Sequence, residues 1–145
     1  MDRTFRMHKP LLTVAALYLA VIGLALLLVP AQFGVGAVPE DASPELISLL
    51  RLLGGPFLGI ALLNWRARGL APATIRDTVL LADLTGFGVV ALNDVWGVLS
   101  GEARDVAVVF GIVHLAFAAA FLFAWRRARP VPAGAATGPA GRATG

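Results

Sequence analysis

Four long apolar runs separated by short polar stretches dominate the pattern of this chain. Leu11 to Val29 holds 19 residues without a charge. Leu46–Trp65 is interrupted only by Arg51 and, near its end, by Asn64. Thr78–Val98 is the most polar run, with Asp83, Asn93 and Asp94, and Val106–Trp125 has His114 as its one ionisable group. A helix crossing the hydrocarbon of a bilayer needs about 20 residues. In lipid every backbone polar group must be satisfied internally, which leaves helices and closed barrels, and continuous runs of this length read as helices. The expected fold is all-α: a polytopic membrane protein, an antiparallel four-transmembrane-helix bundle over residues 11–127, with spans 11–29, 46–65, 78–98 and 106–125.

The polar stretches supply the punctuation. Pro30, Gly34, Gly36, Pro39 and Pro44 break any helix between the first two runs. Ser43-Pro44-Glu45 reads as a helix start, with Ser43 as N-cap, Pro44 in the first turn and Glu45 favourable to the helix dipole. Gly69 and Pro72 mark the second turn, and Ser100-Gly101-Glu102 the third. Residues 1–10 read as a basic cytoplasmic N-terminus. A basic start before an apolar run also resembles a secretory signal, but signal cores run about 7–15 residues and end at a small-residue cleavage site. This run is longer and ends Leu28-Val29-Pro30-Ala31-Gln32-Phe33, so an uncleaved first helix is expected. Residues 128–145 are mostly Pro, Ala, Gly and Thr without apolar periodicity, and are expected to be a disordered cytoplasmic tail.

Composition agrees with lipid as the solvent. The chain is 58% hydrophobic and 14% charged, with a mean hydropathy of +0.80, against about 45–50% and about 25% for a soluble domain. The net charge of +3 does not form a face, so nucleic acid is not an expected partner. Cysteine is absent, which excludes thiolate catalysis, disulfides and Cys-based metal sites. Eleven Arg against one Lys, beside heavy Ala, Gly and Pro use, is the codon signature of a GC-rich bacterial genome.

The charges mark topology. Arg3, Arg6, Lys9, Arg66, Arg68, Arg76, Arg126, Arg127, Arg129 and Arg142 fall on one side of the four spans, and Arg104 alone on the other. The positive-inside rule then puts both termini in the cytoplasm of a bacterial inner membrane. Trp65 and Trp125 end spans at the inner interface and Trp96 lies near the outer one, as interfacial aromatics do. Glu45…Trp65-Arg66 and Asp105…Trp125-Arg126 share an acidic start, a 20-residue interval and a Trp-Arg exit. An internal duplication explains this, and so do interface signals common to any two spans running the same way.

A charged side chain at the bilayer centre costs at least about 2.5–3.5 kcal/mol, so Arg51, Asp83 and Asp94 need partners, water or the surface. At about 1.5 Å per residue, Arg51 lies about 7.5 Å and Asp94 about 6 Å below the outer ends of their spans. The matching depth predicts an Arg51–Asp94 pair with Asn93 assisting; the alternative is Arg51 snorkelling outward and Asp94 in surface water. His114, about 12 Å down, faces the same cluster from below or bonds to a backbone carbonyl or Asn93. Asp83, about 7.5 Å from the inner end, is at the depth of Tyr18 and Thr85 and within reach of Arg66. It lies three turns from Asp94 within about 20° of one face, which is expected to point into the bundle. On the second span Gly55 and Gly59 form a GxxxG pattern that lets helices approach closely. Pro56 frees the carbonyl of Leu52, and a kink there would open a pocket beneath Arg51.

No metalloprotease, phosphate-loop, nucleophile-elbow or dinucleotide motif is present. Two histidines make neither a metal nor a haem site, and no cofactor is expected. The element Arg51-Leu52-Leu53-Gly54-Gly55-Pro56-Phe57-Leu58-Gly59, within four short-linked spans, resembles the DoxX-like group of small bacterial four-helix membrane proteins; here it stands in the second span. The resemblance implies a bundle fold and a membrane protein partner or lipid-soluble ligand, some members being linked to quinone-associated redox complexes. It carries over no catalytic residues. The expectation for function is a non-enzymatic accessory subunit or a binder of an apolar small molecule, a lipid or a quinone, with the bilayer, a membrane partner or a second copy as its company. The alternative is a small transporter or proton-conducting protein using Asp83, His114 and Asp94 as relay groups.

Overall fold

The structure, a computed structural model, describes residues 3–33, 38–101 and 106–128. The expectation of a disordered tail falls almost wholly outside them. The elements are α1 (Arg3–Leu28), α2 (Pro44–Ala67), α3 (Pro72–Ile75), a π-helical turn (Arg76–Leu80), α4 (Leu81–Ser100) and α5 (Val106–Arg127). Segment α3, the π turn and α4 run on as one rod, Pro72–Ser100, so that four helices among the described residues are long and apolar enough to cross a membrane. The fold is the expected all-α, four-helix bundle.

Local chemistry sets the helix ends. The Ser43 hydroxyl accepts from the Leu46 N–H at 3.3 Å, and Pro44 opens α2 without wasting a donor. Gly101 stops α4 in the left-handed region, with φ at 75°, a conformation that glycine adopts without steric cost. Two boundaries differ from expectation. Helix α1 begins at Arg3, so the polar leader forms its first turns, and the candidate span starts at His8. His8 is buried, and its Nε2–H donates to the Leu70 carbonyl at 3.0 Å. A buried tertiary partner thus extends the helix beyond the apolar pattern. The third rod likewise starts at Pro72, six residues before the apolar run.

Helix α1 packs along α2, and α4 along α5, which makes two antiparallel hairpins. They meet where α1 touches α5, and at the corner formed by α3 and the π turn, which reaches α1, α2 and α5. Away from this corner α2 and α4 are not packed along each other. The shared core is accordingly concentrated at one end. Leu12, Ile75, Leu80 and Phe121 are fully buried there beside His8 and Asn64. Lys9, Arg66, Arg68, Arg76, Arg126 and Arg127 ring the same end, here termed the basic end.

The opposite faces are apolar and uncovered. Val14, Leu17, Val21, Leu24 and Leu28 recur at helical spacing along the exposed side of α1. Only 11% of the apolar window of α2 and 17% of that of α5 is buried within the molecule. In water such surface would drive association; in lipid it is the surface that faces the acyl chains.

The close crossing of α1 and α2 uses glycines other than those expected. A Cβ on Gly54 would lie 2.7 Å from the Gly23 carbonyl oxygen and 2.6 Å from Leu27 Cγ. A Cβ on Gly23 would lie 3.0 Å from the Gly54 carbonyl oxygen. Gly55 and Gly59 have open space around them. The GxxxG spacing is real, but it sits on the outward face of α2. The inward face is defined by Gly54, Ala61, Asn64 and Ala67, the buried residues of that helix.

Candidate functional site

Two polar clusters lie within the spans, both anchored on one face of α4. Asp83, Phe87 and Ala91 are its buried residues, at helical spacing, and Asp94 continues the row. The expectation that Asp83 and Asp94 share an inward face holds geometrically.

The first cluster is sealed. Asn64 of α2 donates from Nδ2 to Asp83 Oδ1 at 3.1 Å. Asn64 has no exposed surface and Asp83 retains 6%. Asn64 Oδ1 and Asp83 Oδ2 are buried without partners. Arg66, expected within reach of Asp83, is exposed. The Thr85 hydroxyl donates instead to the Leu81 carbonyl, and Tyr18 belongs to the other cluster.

The second cluster joins three helices. Asp94 Oδ2 of α4 accepts from His114 Nδ1 of α5 at 2.6 Å. A carboxylate at Nδ1 fixes the hydrogen on that nitrogen, so Nε2 accepts from the Tyr18 hydroxyl of α1 at 2.8 Å. Gly111, one turn before His114, makes the approach feasible: a Cβ there would lie 3.3 Å from Asp94 Cβ. Aromatic rings wall the chain. Tyr18 lies 5.2 Å from Phe117, and Phe87 stacks on Phe117 at 4.5 Å. Phe110 lies 6.4 Å from the imidazole, and Phe33 6.4 Å from Phe110. The His114 and Asp94 side chains keep 14% and 15% of their surface exposed. The cluster therefore sits at the edge of the core, not inside it.

The structure thus joins His114 to Asp94 and leaves Arg51 and Asn93 out. Arg51 and Asn93 are both exposed. The Arg51–Asp94 pair does not form, because α2 packs on α1 and the arginine projects from its outward side. Equal depth does not bring two residues together when their helices are not packed along each other. Arg51 has no acidic partner among the described residues. Tyr18 and Gly111 were missed as members of this cluster. A tyrosine halfway down the first apolar run, and a glycine one turn from the histidine of the fourth apolar run, were the available signals.

Chemically the chain Asp94–His114–Tyr18 can orient a hydrogen-bonding group and redistribute protons among three titratable positions. Among the described residues no three His, Cys, Asp or Glu side chains converge as metal ligands would. No protein-family model matches this chain, and no curated protein or solved structure matches it.

Proposed function

We propose that this is a non-enzymatic membrane protein that holds an apolar small molecule with a hydrogen-bonding head, a lipid or a quinone, against Tyr18, His114 and Asp94, alone or as an accessory subunit. The observation that carries the reading is the contrast between the two clusters. Asn64–Asp83 is closed off, as a pair that only holds helices together would be. Asp94–His114–Tyr18 is aligned by hydrogen bonds yet remains partly open beside an aromatic wall. Apolar pockets with a few convergent polar groups are the usual form of small-molecule sites, and intramembrane ionisable groups mark functional positions. A resemblance to the DoxX-like group, a place in a bacterial inner membrane and cytoplasmic termini belong to the same proposal, supported by the all-α bundle and the one-sided basic residues.

The test is mass spectrometry of the full chain extracted in mild detergent, reading bound lipids, quinones and proteins together. The wild type is expected to retain such a molecule, with His114→Ala lowering retention by about tenfold, the worth of one charge-assisted hydrogen bond. A wild-type protein that retains no lipid, quinone or partner protein ends the proposal.

A second reading, proton conduction, is favoured by the same contiguous titratable chain. Asp83 does not extend it, because the Phe87 ring, 6% exposed, stands between the two carboxyl groups on the face of α4. In proteoliposomes Asp94→Asn or His114→Ala would then abolish pH-driven flux while leaving helicity intact. Flux that survives both substitutions removes this reading.

A further inference from the structure

At the basic end, away from the Tyr18–His114–Asp94 cluster, a cleft of about 400 Å³ is lined by Lys9, Trp65, Arg66, Arg68 and Gly69. Two helices build it. Helix α2 exits through Trp65 and Arg66 and is capped by Arg68, whose N–H donates to the Asn64 carbonyl. The His8–Leu70 hydrogen bond holds the start of α1 against the following turn, which places Lys9 beside the two arginines. Gly69 has no side chain and nothing within 4 Å of a would-be Cβ, so the floor stays open.

Three cations line this cleft and no carboxylate does. The acids of the described residues are engaged or distant. Asp77 pairs with Arg76 and accepts from the Trp125 indole N–H. Asp83 is buried on Asn64. Glu40, Asp41 and Glu45 lie before or at the start of α2, the far end of that helix. Arg68 is pre-ordered: its guanidinium stacks 3.4 Å from the Trp65 ring centroid, and its Nε donates to the Trp65 carbonyl at 3.0 Å. Stacking costs the guanidinium few of its donors, so its terminal nitrogens remain available to an anion. The volume is within the usual range of ligand sites, about 300–1,000 Å³.

We infer that this cleft binds the phosphate group of an anionic phospholipid head, with Arg66 and Arg68 as donors, Lys9 as a third charge and Trp65 at the level of the headgroups. Basic pockets at the mouths of transmembrane helices recognise such heads by charge and hydrogen bonding. A lipid, rather than free phosphate, fits an opening beside an indole at the margin of an apolar helix, because acyl chains can lie along the exposed Leu62 and Leu63. The inference does not depend on what occupies the His114 cluster.

The experiment is native mass spectrometry of the full chain in non-ionic detergent, titrated with phosphatidylglycerol, cardiolipin and phosphatidylcholine. Wild type should retain the anionic lipids over phosphatidylcholine, and Arg66→Gln/Arg68→Gln should reduce that retention about tenfold. Arg126→Gln/Arg127→Gln removes the same charge from exposed residues at the same end and should change it less than twofold. Lys9→Gln alone should lower retention about threefold and serves if the double variant fails to fold by circular dichroism. Equal retention of anionic and zwitterionic lipids, equal losses in the two double variants, or full displacement by inorganic phosphate would overturn the inference.

Discussion

Asn64 and Asp83 each leave one buried oxygen without a partner, and the two oxygens belong to side chains already joined by one hydrogen bond. A proton on Asp83 Oδ2 would donate to Asn64 Oδ1 and close an acid–amide ring in which both atoms are satisfied. An amide at position 83 could make the same ring. Asp83→Asn is therefore expected to unfold within about 1 kcal/mol of wild type, whereas Asp83→Leu or Asn64→Leu should each cost about 1–3 kcal/mol by stranding the partner. Replacing both by Leu should cost less than the sum, since nothing is then left unpaired. Thermal unfolding in detergent, followed by circular dichroism, checks the series. If Asp83→Asn is as damaging as Asp83→Leu, the ring does not exist. At this scale depth along a helix was readable from residue counts, which put His114 below Asp94 and left open whether the two meet. Azimuth was not readable for Arg51, since it depends on which helix covers which face.

The helices themselves were visible as apolar runs, because a bilayer imposes both length and internal hydrogen bonding. Their ends were less so. Residues 3–10 and 72–77 are polar in pattern but helical through tertiary anchors, the buried His8 and the buried Ile75. The π turn Arg76–Leu80 had no sequence signature. Such turns often accompany functional positions in helices; here the turn sets Arg76 over the Trp125 ring, 4.3 Å from its centroid. Glycine patterning was informative about α2 but one residue out of phase. A helix advances about 100° per residue, so a shift from Gly55 to Gly54 moves the close contact to another face. Gly54→Ala should therefore destabilise the α1–α2 hairpin by about 1–3 kcal/mol, as its methyl group meets the Gly23 and Leu27 backbone as well as Leu27 Cγ. Gly55→Ala and Gly59→Ala, in open space, should be neutral or slightly stabilising through helix propensity. Equal melting temperatures for the Gly54 and Gly55 variants would place the crossing elsewhere.

Two hairpins joined chiefly at one end make a bundle whose ends differ in kind. The basic end holds the shared core, the corner of α3 and the π turn, and the Arg76–Asp77–Trp125 contacts. Towards the other end large apolar side chains such as Leu52, Trp96 and Leu99 lie exposed. This polarity explains why the sealed Asn64–Asp83 pair lies deep in the shared core and the open His114 cluster at its margin. It also ties orientation to charge, since the end rich in Arg should stay on the cytoplasmic side. The chain has no cysteine, so single thiols can report that orientation without background. Ala71→Cys lies on the exposed turn after α2, and Ser100→Cys at the exposed end of α4. An impermeant thiol reagent applied to intact cells should label position 100, and should label position 71 only after the membrane is opened. Both substitutions are on exposed positions and should leave the melting temperature unchanged. Labelling of position 71 alone in intact cells would invert the topology. It would also move the Lys9–Arg66–Arg68 cleft to the opposite leaflet, while leaving the bundle and its two polar clusters as they are.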